Sequence, residues 1–92
     1  MAQNNLDPIR DDIISYVLEN HLSEFDRHSL PRDQSLVEIG VIDSYGVVEL
    51  ISFLEEKWAI QIDDDEITKQ NLGSIDRMAR FILNKRAGRA LA

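Results

Sequence analysis

A serine that follows an aspartate at the opening of a strongly periodic helical segment is where residue type and position combine into chemistry in this sequence. Asp43 offers a carboxylate that can cap the helix, so Ser44 can enter the first turn with its hydroxyl free. A phosphate ester on that hydroxyl would lie beside unsatisfied backbone N–H groups and the positive end of the helix dipole. The plain alternative is that Ser44 is itself only a helix cap. Ser44 and Gly46 also form half of a hydrolase nucleophile elbow, but Ile42 stands where its first glycine belongs, and 92 residues are too few for the strand–turn–helix setting. The run Asp63, Asp64, Asp65, Glu66 invites a calcium ion. Counted from Asp63, however, a calcium loop needs glycine where Thr68 stands and glutamate where Ser74 stands, so the run reads as solvated surface. His21 and His28, seven residues apart across a helix end, read as surface positions rather than a catalytic base or metal ligands. No metal site and no phosphate-binding loop are expected.

The elements that must position Ser44 follow from hydrophobic periodicity. A first helix opens at Asp7-Pro8, where proline fits because its missing N–H costs nothing, and buries Ile9, Ile13, Tyr16 and Val17, with Ile14 and Leu18 widening the stripe. From Ser23 to Asp43 the period is lost across Pro31 and Gly40, giving a long loop pinned by Leu30, Leu36, Ile39 and Ile42. A structureless connection of this length is often functional. The second helix spans Ser44 to Trp58, with Val47, Leu50, Ile51, Leu54 and Trp58 expected in the core. Its remaining face carries Tyr45, Val48, Glu49, Ser52, Glu55 and Glu56, a mixture of acids and apolar groups that suits docking. Ile60, Ile62 and the acidic run lead to a short helical piece ending at Leu72-Gly73. Ser74 then caps a last helix built on Ile75, Met78, Ala79 and Ile82, with Phe81 alongside. The expected architecture is all-α: a small four-helix bundle of three longer helices and one short one, with a long loop between the first two. It forms one domain over 1–92, its core about 7–84, and residues 85–92 are expected to fray from near Gly88 as a basic tail.

Composition narrows the function. The chain has 10 Lys+Arg, 17 Asp+Glu, a net charge of -7 and no cysteine. A chain of 92 residues supports one core and no large enclosed active site. Without cysteine there is no disulfide, thiol nucleophile or Cys-bearing zinc site, and any thiol chemistry must be borrowed. The acidic balance argues against nucleic acid and for basic partners. The polar start and the short apolar runs argue against a secretory signal or membrane insertion, which leaves a cytoplasmic domain as the expectation. Residues 33–66 hold ten acids and one base, a balance of -9, while 67–92 hold one acid and six bases, a balance of +5.

The stretch from Gly40 to Leu50, with Asp43-Ser44 at its centre, resembles the attachment site of the acyl carrier protein family. Asp33, Ser35-Leu36, Leu54 to Trp58, Ile60, Ile62, the acidic run and the helix from Ser74 to Leu83 extend the resemblance at the family's spacing over about three quarters of the chain. The resemblance implies a carrier, not an enzyme. A phosphopantetheinyl transferase would move 4'-phosphopantetheine from coenzyme A onto Ser44, and cargo would ride as a thioester on the arm's thiol. Asp43 matches the family residue that helps place magnesium and phosphate during that transfer. Glu49 matches the acidic docking position. Implied partners are that transferase, an acyl- or aminoacyl-loading ligase, and downstream transferases or synthases, visited by a monomer.

Two departures bear on partner choice. Tyr45 stands where leucine is common in the fatty acid carriers, and Gly46 replaces a residue that is often polar or acidic. The Asp-Ser-aromatic-Gly pattern is more similar to freestanding carriers of dedicated pathways, including D-alanyl and other aminoacyl carriers. Phe53, where a small residue is frequent, is expected to fill space that an acyl chain would occupy. The competing reading is a non-covalent acidic helical adaptor in which Ser44 is only a cap.

Overall fold

The computed structural model describes residues 6–21 and 24–91, with side chains through residue 86. The polar segment before Leu6, the expected loop start at Ser23 and the side chain of Arg89 in the expected tail lie outside the described residues. Within them the chain forms four α-helices and no strand: α1 (Leu6–Asn20), α2 (Ser44–Trp58), α3 (Lys69–Leu72) and α4 (Ile75–Leu91), with a 3-10 turn at Asp64–Glu66. The all-helical class and the three-long, one-short pattern expected from periodicity are present.

α1 starts one residue before the expected Asp7-Pro8 and buries Leu6, Ile9, Ile13, Ile14 and Val17 along one face. In its first turn Arg10 bonds Asp7 through Nη1 at 2.9 Å, while its Nε donates to Asp76 Oδ1 at 2.7 Å and so ties α1 to α4. α4 is the central element. It packs against α1, α2 and α3, and its Ile75, Met78, Ala79 and Ile82 have no exposed surface. These four meet Ile13, Ile14, Val17 and Leu54, also fully buried, and closing such side chains away from water is the main stabilising term of so small a chain.

Ser74 opens α4 as expected: its Oγ accepts from Arg77 N at 3.2 Å. The far end differs, because the helix continues three residues past Gly88 to Leu91. A glycine costs a helix about 1 kcal/mol relative to alanine, and a helix already nucleated by buried turns carries that penalty, with Ala87, Arg89, Ala90 and Leu91 all good helix formers around it.

The connection before α2 is ordered by its own hydrogen bonds. Ser35 Oγ accepts from Glu38 N at 3.2 Å, Leu36 O accepts from both Val41 N and Ile42 N, and Gly40 turns the chain at φ 81, a left-handed conformation that glycine enters without a Cβ penalty. Leu30, Leu36 and Ile42 are buried as expected, Ile39 is half-buried, and Val41 joins them. Two backbone bonds moor this loop to the start of α4: Leu36 N to Gly73 O at 3.3 Å, and Asp76 N to Arg32 O at 2.9 Å. The residues leading into Ser44 are thereby fixed relative to the central helix.

Candidate functional site at the start of α2

The boundary of α2 is set by Asp43. Its backbone is extended (φ -97, ψ -175), its Oδ1 accepts from Gly46 N at 2.8 Å, and its carbonyl accepts the first helical bond from Val47 N at 3.0 Å. Asp43 is therefore the cap, and Ser44 is the first helical residue, exposed, with no hydrogen bond from its hydroxyl among the described residues. The N–H groups of Ser44 and Tyr45 precede any intrahelical partner, and no described residue accepts from them. A free hydroxyl thus stands at the positive end of a 15-residue helix, beside two unsatisfied donors and one carboxylate.

The outer face of α2 divides the six expected docking residues. Tyr45 is 83% exposed and Val48 64%, two of only four large apolar side chains so exposed among the described residues. Glu49, Ser52 and Glu56 are exposed beside them. Glu55 is placed otherwise: it is half-buried, and its Oε2 accepts from Ile62 N at 2.9 Å, so this carboxylate holds the chain that leaves α2. Helix periodicity puts Glu55 outside the core stripe but carries no information about a backbone N–H seven residues later.

The inner side of the site corrects one expectation. His21 is half-buried rather than at the surface. It caps the end of α1 through its N–H to Val17 O at 2.9 Å, meets Tyr16 edge-on at 5.9 Å, and leaves Nε2 buried without a hydrogen-bond partner among the described residues. It sits against Gly46 in the first turn of α2, a relationship that spacing along the chain does not reveal. His28 is exposed, as expected.

Phe53 packs close by. Its ring stacks on Tyr16 at 4.2 Å and meets Trp58 edge-on at 5.8 Å, which places it on the α1 side of α2. An apolar cavity of about 240 Å³ lies between α2, α3 and the loop, walled by Leu36, Val47, Ile51, Leu72 and Met78, with Val37 and Ile67 exposed among its lining residues. Phe53 does not line it. The same cavity explains why Val47 and Ile51 are half-buried where the periodicity predicted full burial: α3 is a single turn and covers little of them. Tyr16, beside Phe53, has its phenol pushed above its ordinary value by burial, reinforced by the negative charge of Glu49.

The acidic run holds no metal-ligating cluster among the described residues. Instead Glu66 closes the 3-10 turn, its Oε1 accepting from Asp63 N at 2.9 Å and pairing with Lys85 at 2.7 Å, while Lys85 also lies 5.7 Å from the centre of the Phe81 ring. The Lys85 hydrogen bond, then that of the Asp63 N–H, holds the Glu66 carboxyl below its ordinary range. No described helix is long and apolar enough to cross a membrane.

No protein-family model matches this sequence, and no curated protein matches it significantly.

Proposed function

We propose that this protein is a carrier modified at Ser44 with 4'-phosphopantetheine from coenzyme A, presenting acyl or aminoacyl groups as thioesters to a succession of cytoplasmic enzymes. The observation that carries this reading is the division of labour between two adjacent residues. Asp43 does the capping, so the Ser44 hydroxyl is exposed and uncommitted at the amino end of α2. The surroundings suit a phosphodiester: the Ser44 and Tyr45 N–H groups and the helix dipole favour its negative charge, and Ser44 is exposed. The arm would supply the thiol that a chain without cysteine lacks.

In this reading the chain's own residues bind and orient. Asp43 uses Oδ1 on Gly46 N, and its other oxygen stays available to the magnesium used by a transferase. Tyr45 and Val48 form the apolar centre of the docking face, with Glu49, Ser52 and Glu56 around it. Such a face favours fast, salt-sensitive encounters with basic partners over tight binding, as a monomer that must leave each enzyme requires. The partners are a phosphopantetheinyl transferase, a loading ligase and downstream transferases or synthases.

The test is intact mass. The apo protein, incubated with coenzyme A, magnesium and a broad-specificity phosphopantetheinyl transferase, gains the mass of one arm, and Ser44→Ala gains none while keeping its helical circular dichroism. No gain on the unsubstituted chain, or equal gain on Ser44→Ala, removes the carrier reading and leaves the non-covalent adaptor. Charge reversal at Glu49 and Glu56 slows modification at low salt and less so at high salt.

A further inference from the structure

α4 carries a second face of interest, on which two arginines are exposed. Arg77 and Arg80 are exposed one turn apart and, with Phe81 and Asn84, border a shallow depression of about 370 Å³ closed by Gln70 and Asn71. Among the described residues neither guanidinium is ion-paired. Arg77 reaches only the Gln70 carbonyl, at 3.4 Å. Of the two acids on the same depression, Asp76 is engaged by Arg10 at 2.7 Å, and Asp33 forms no ion pair among the described residues. Two guanidinium groups and a half-exposed aromatic ring therefore border the same depression, and most of the arginine donors are unused among the described residues.

We propose that this face binds an acidic segment of a partner protein, one that presents two carboxylates about a helical turn apart. Each carboxylate would take a bidentate pair of N–H bonds from one arginine, with an apolar group between them resting on Phe81. Charge selects the class of ligand. Residues 67–92 carry a balance of +5, but the whole chain is -7, so an extended polyanion such as nucleic acid meets the repulsion of the -9 surplus over residues 33–66. A short acidic segment is spared most of that repulsion, because charges beyond about 8 Å are screened at physiological ionic strength. None of Ser44, Tyr45, Val48 or Glu49 lines the depression, so a partner held on α4 leaves the start of α2 free for another. The proposal does not depend on Ser44 being modified.

The experiment uses the full chain, labelled with 15N and titrated with a helical peptide whose glutamates repeat every third or fourth residue, beside a control peptide with lysine at those positions. Amide shifts centred on Arg77, Arg80, Phe81 and Asn84 are expected with the glutamate peptide alone, shrinking as salt rises. R77E/R80E weakens binding at least about tenfold, and R77K/R80K, which keeps charge but loses the bidentate fork, falls between. R80A supplies a single, milder variant should the double reversal perturb the helix. Absence of α4 shifts at millimolar peptide overturns the proposal, as do shifts unchanged in both R77E/R80E and R80A. An oligonucleotide of matching charge that moves the same amides equally well overturns the choice of a protein partner. Normal arm transfer to Ser44 in R77E/R80E, with peptide binding lost, separates this face from the modification site.

Discussion

The imidazole of His21 occupies the place where a side chain on Gly46 would have to go. A Cβ at position 46 would lie 2.7 Å from His21 Cε1 and 2.7 Å from Ile42 Cγ2, in the first turn of the helix that bears Ser44. Helix propensity alone favours alanine there by up to about 1 kcal/mol. Contact decides the sign the other way, because Ile42 is a buried, β-branched residue with little freedom to rotate and the His21 ring is held between Tyr16 and α2. Gly46→Ala is therefore expected to destabilise the protein by about 1–3 kcal/mol, a loss typical of overpacking. Denaturant titration measures it; a stability equal to or above that of the parent would show that the α1–α2 contact yields freely.

Glu55 and Glu56 are neighbours in sequence with different work. Removing the Glu55 carboxylate leaves Ile62 N, in a partly buried stretch between the buried side chains of Ile60 and Ile62, without its acceptor. Glu55→Ala is expected to cost about 1–3 kcal/mol, whereas Glu56→Ala, on the exposed face, stays within about 0.5 kcal/mol. Thermal melts of the two variants side by side check this, and equal melting temperatures would refute it. A charge reversal intended to probe docking belongs at Glu49 and Glu56 for the same reason.

What could be read along the chain was whatever depends on near neighbours. The capping carboxylate of Asp43 and the spacing of Leu50 and Leu54 define α2 at both the sequence and the structural level, and Ser74 does the same for α4. The all-helical class follows from those local signals. What needed the fold were relationships between elements: His21 drawn under the first turn of α2, Phe53 stacked on Tyr16, and Glu55 reaching Ile62. The loop before Ser44 lacks periodicity because its order comes from backbone bonds to Gly73 and Asp76, which lie more than thirty residues away and leave no pattern in its side chains.

α2 ends on a residue poorly suited to its backbone. Ala59 sits at φ 53, ψ 46, in the left-handed region, while its N–H and that of Ile60 both donate to Glu55 O. An L-residue with a Cβ spends about 1–2 kcal/mol there that glycine does not, although glycine loses part of this through the greater freedom of its unfolded chain. Ala59→Gly is expected to stabilise the protein by about 0.5–1 kcal/mol without altering the site. An unchanged or lower midpoint in urea would contradict it.

Acid should unfasten the contact between the 3-10 turn and α4. Glu66 has its folded pKa depressed, chiefly by the Lys85 hydrogen bond and then by the Asp63 N–H, so the folded state binds this proton more weakly than the unfolded chain. The sign follows: the contribution is complete above the ordinary glutamate value of about 4.3 and is lost as pH falls through and below it. Asp26 acts in the same direction, its carboxyl lowered by the Ser29 N–H and hydroxyl and by the His28 N–H. Stability measured by urea denaturation should therefore decline through the carboxylate range, and Glu66→Gln should flatten that decline while lowering stability at neutral pH, because the Lys85 pair is gone at every pH. Lys85→Met tests the assignment of cause. It removes the first-ranked partner and keeps an apolar stem beside Phe81, so its pH profile should also flatten; a slope identical to the parent's would place the acid sensitivity elsewhere.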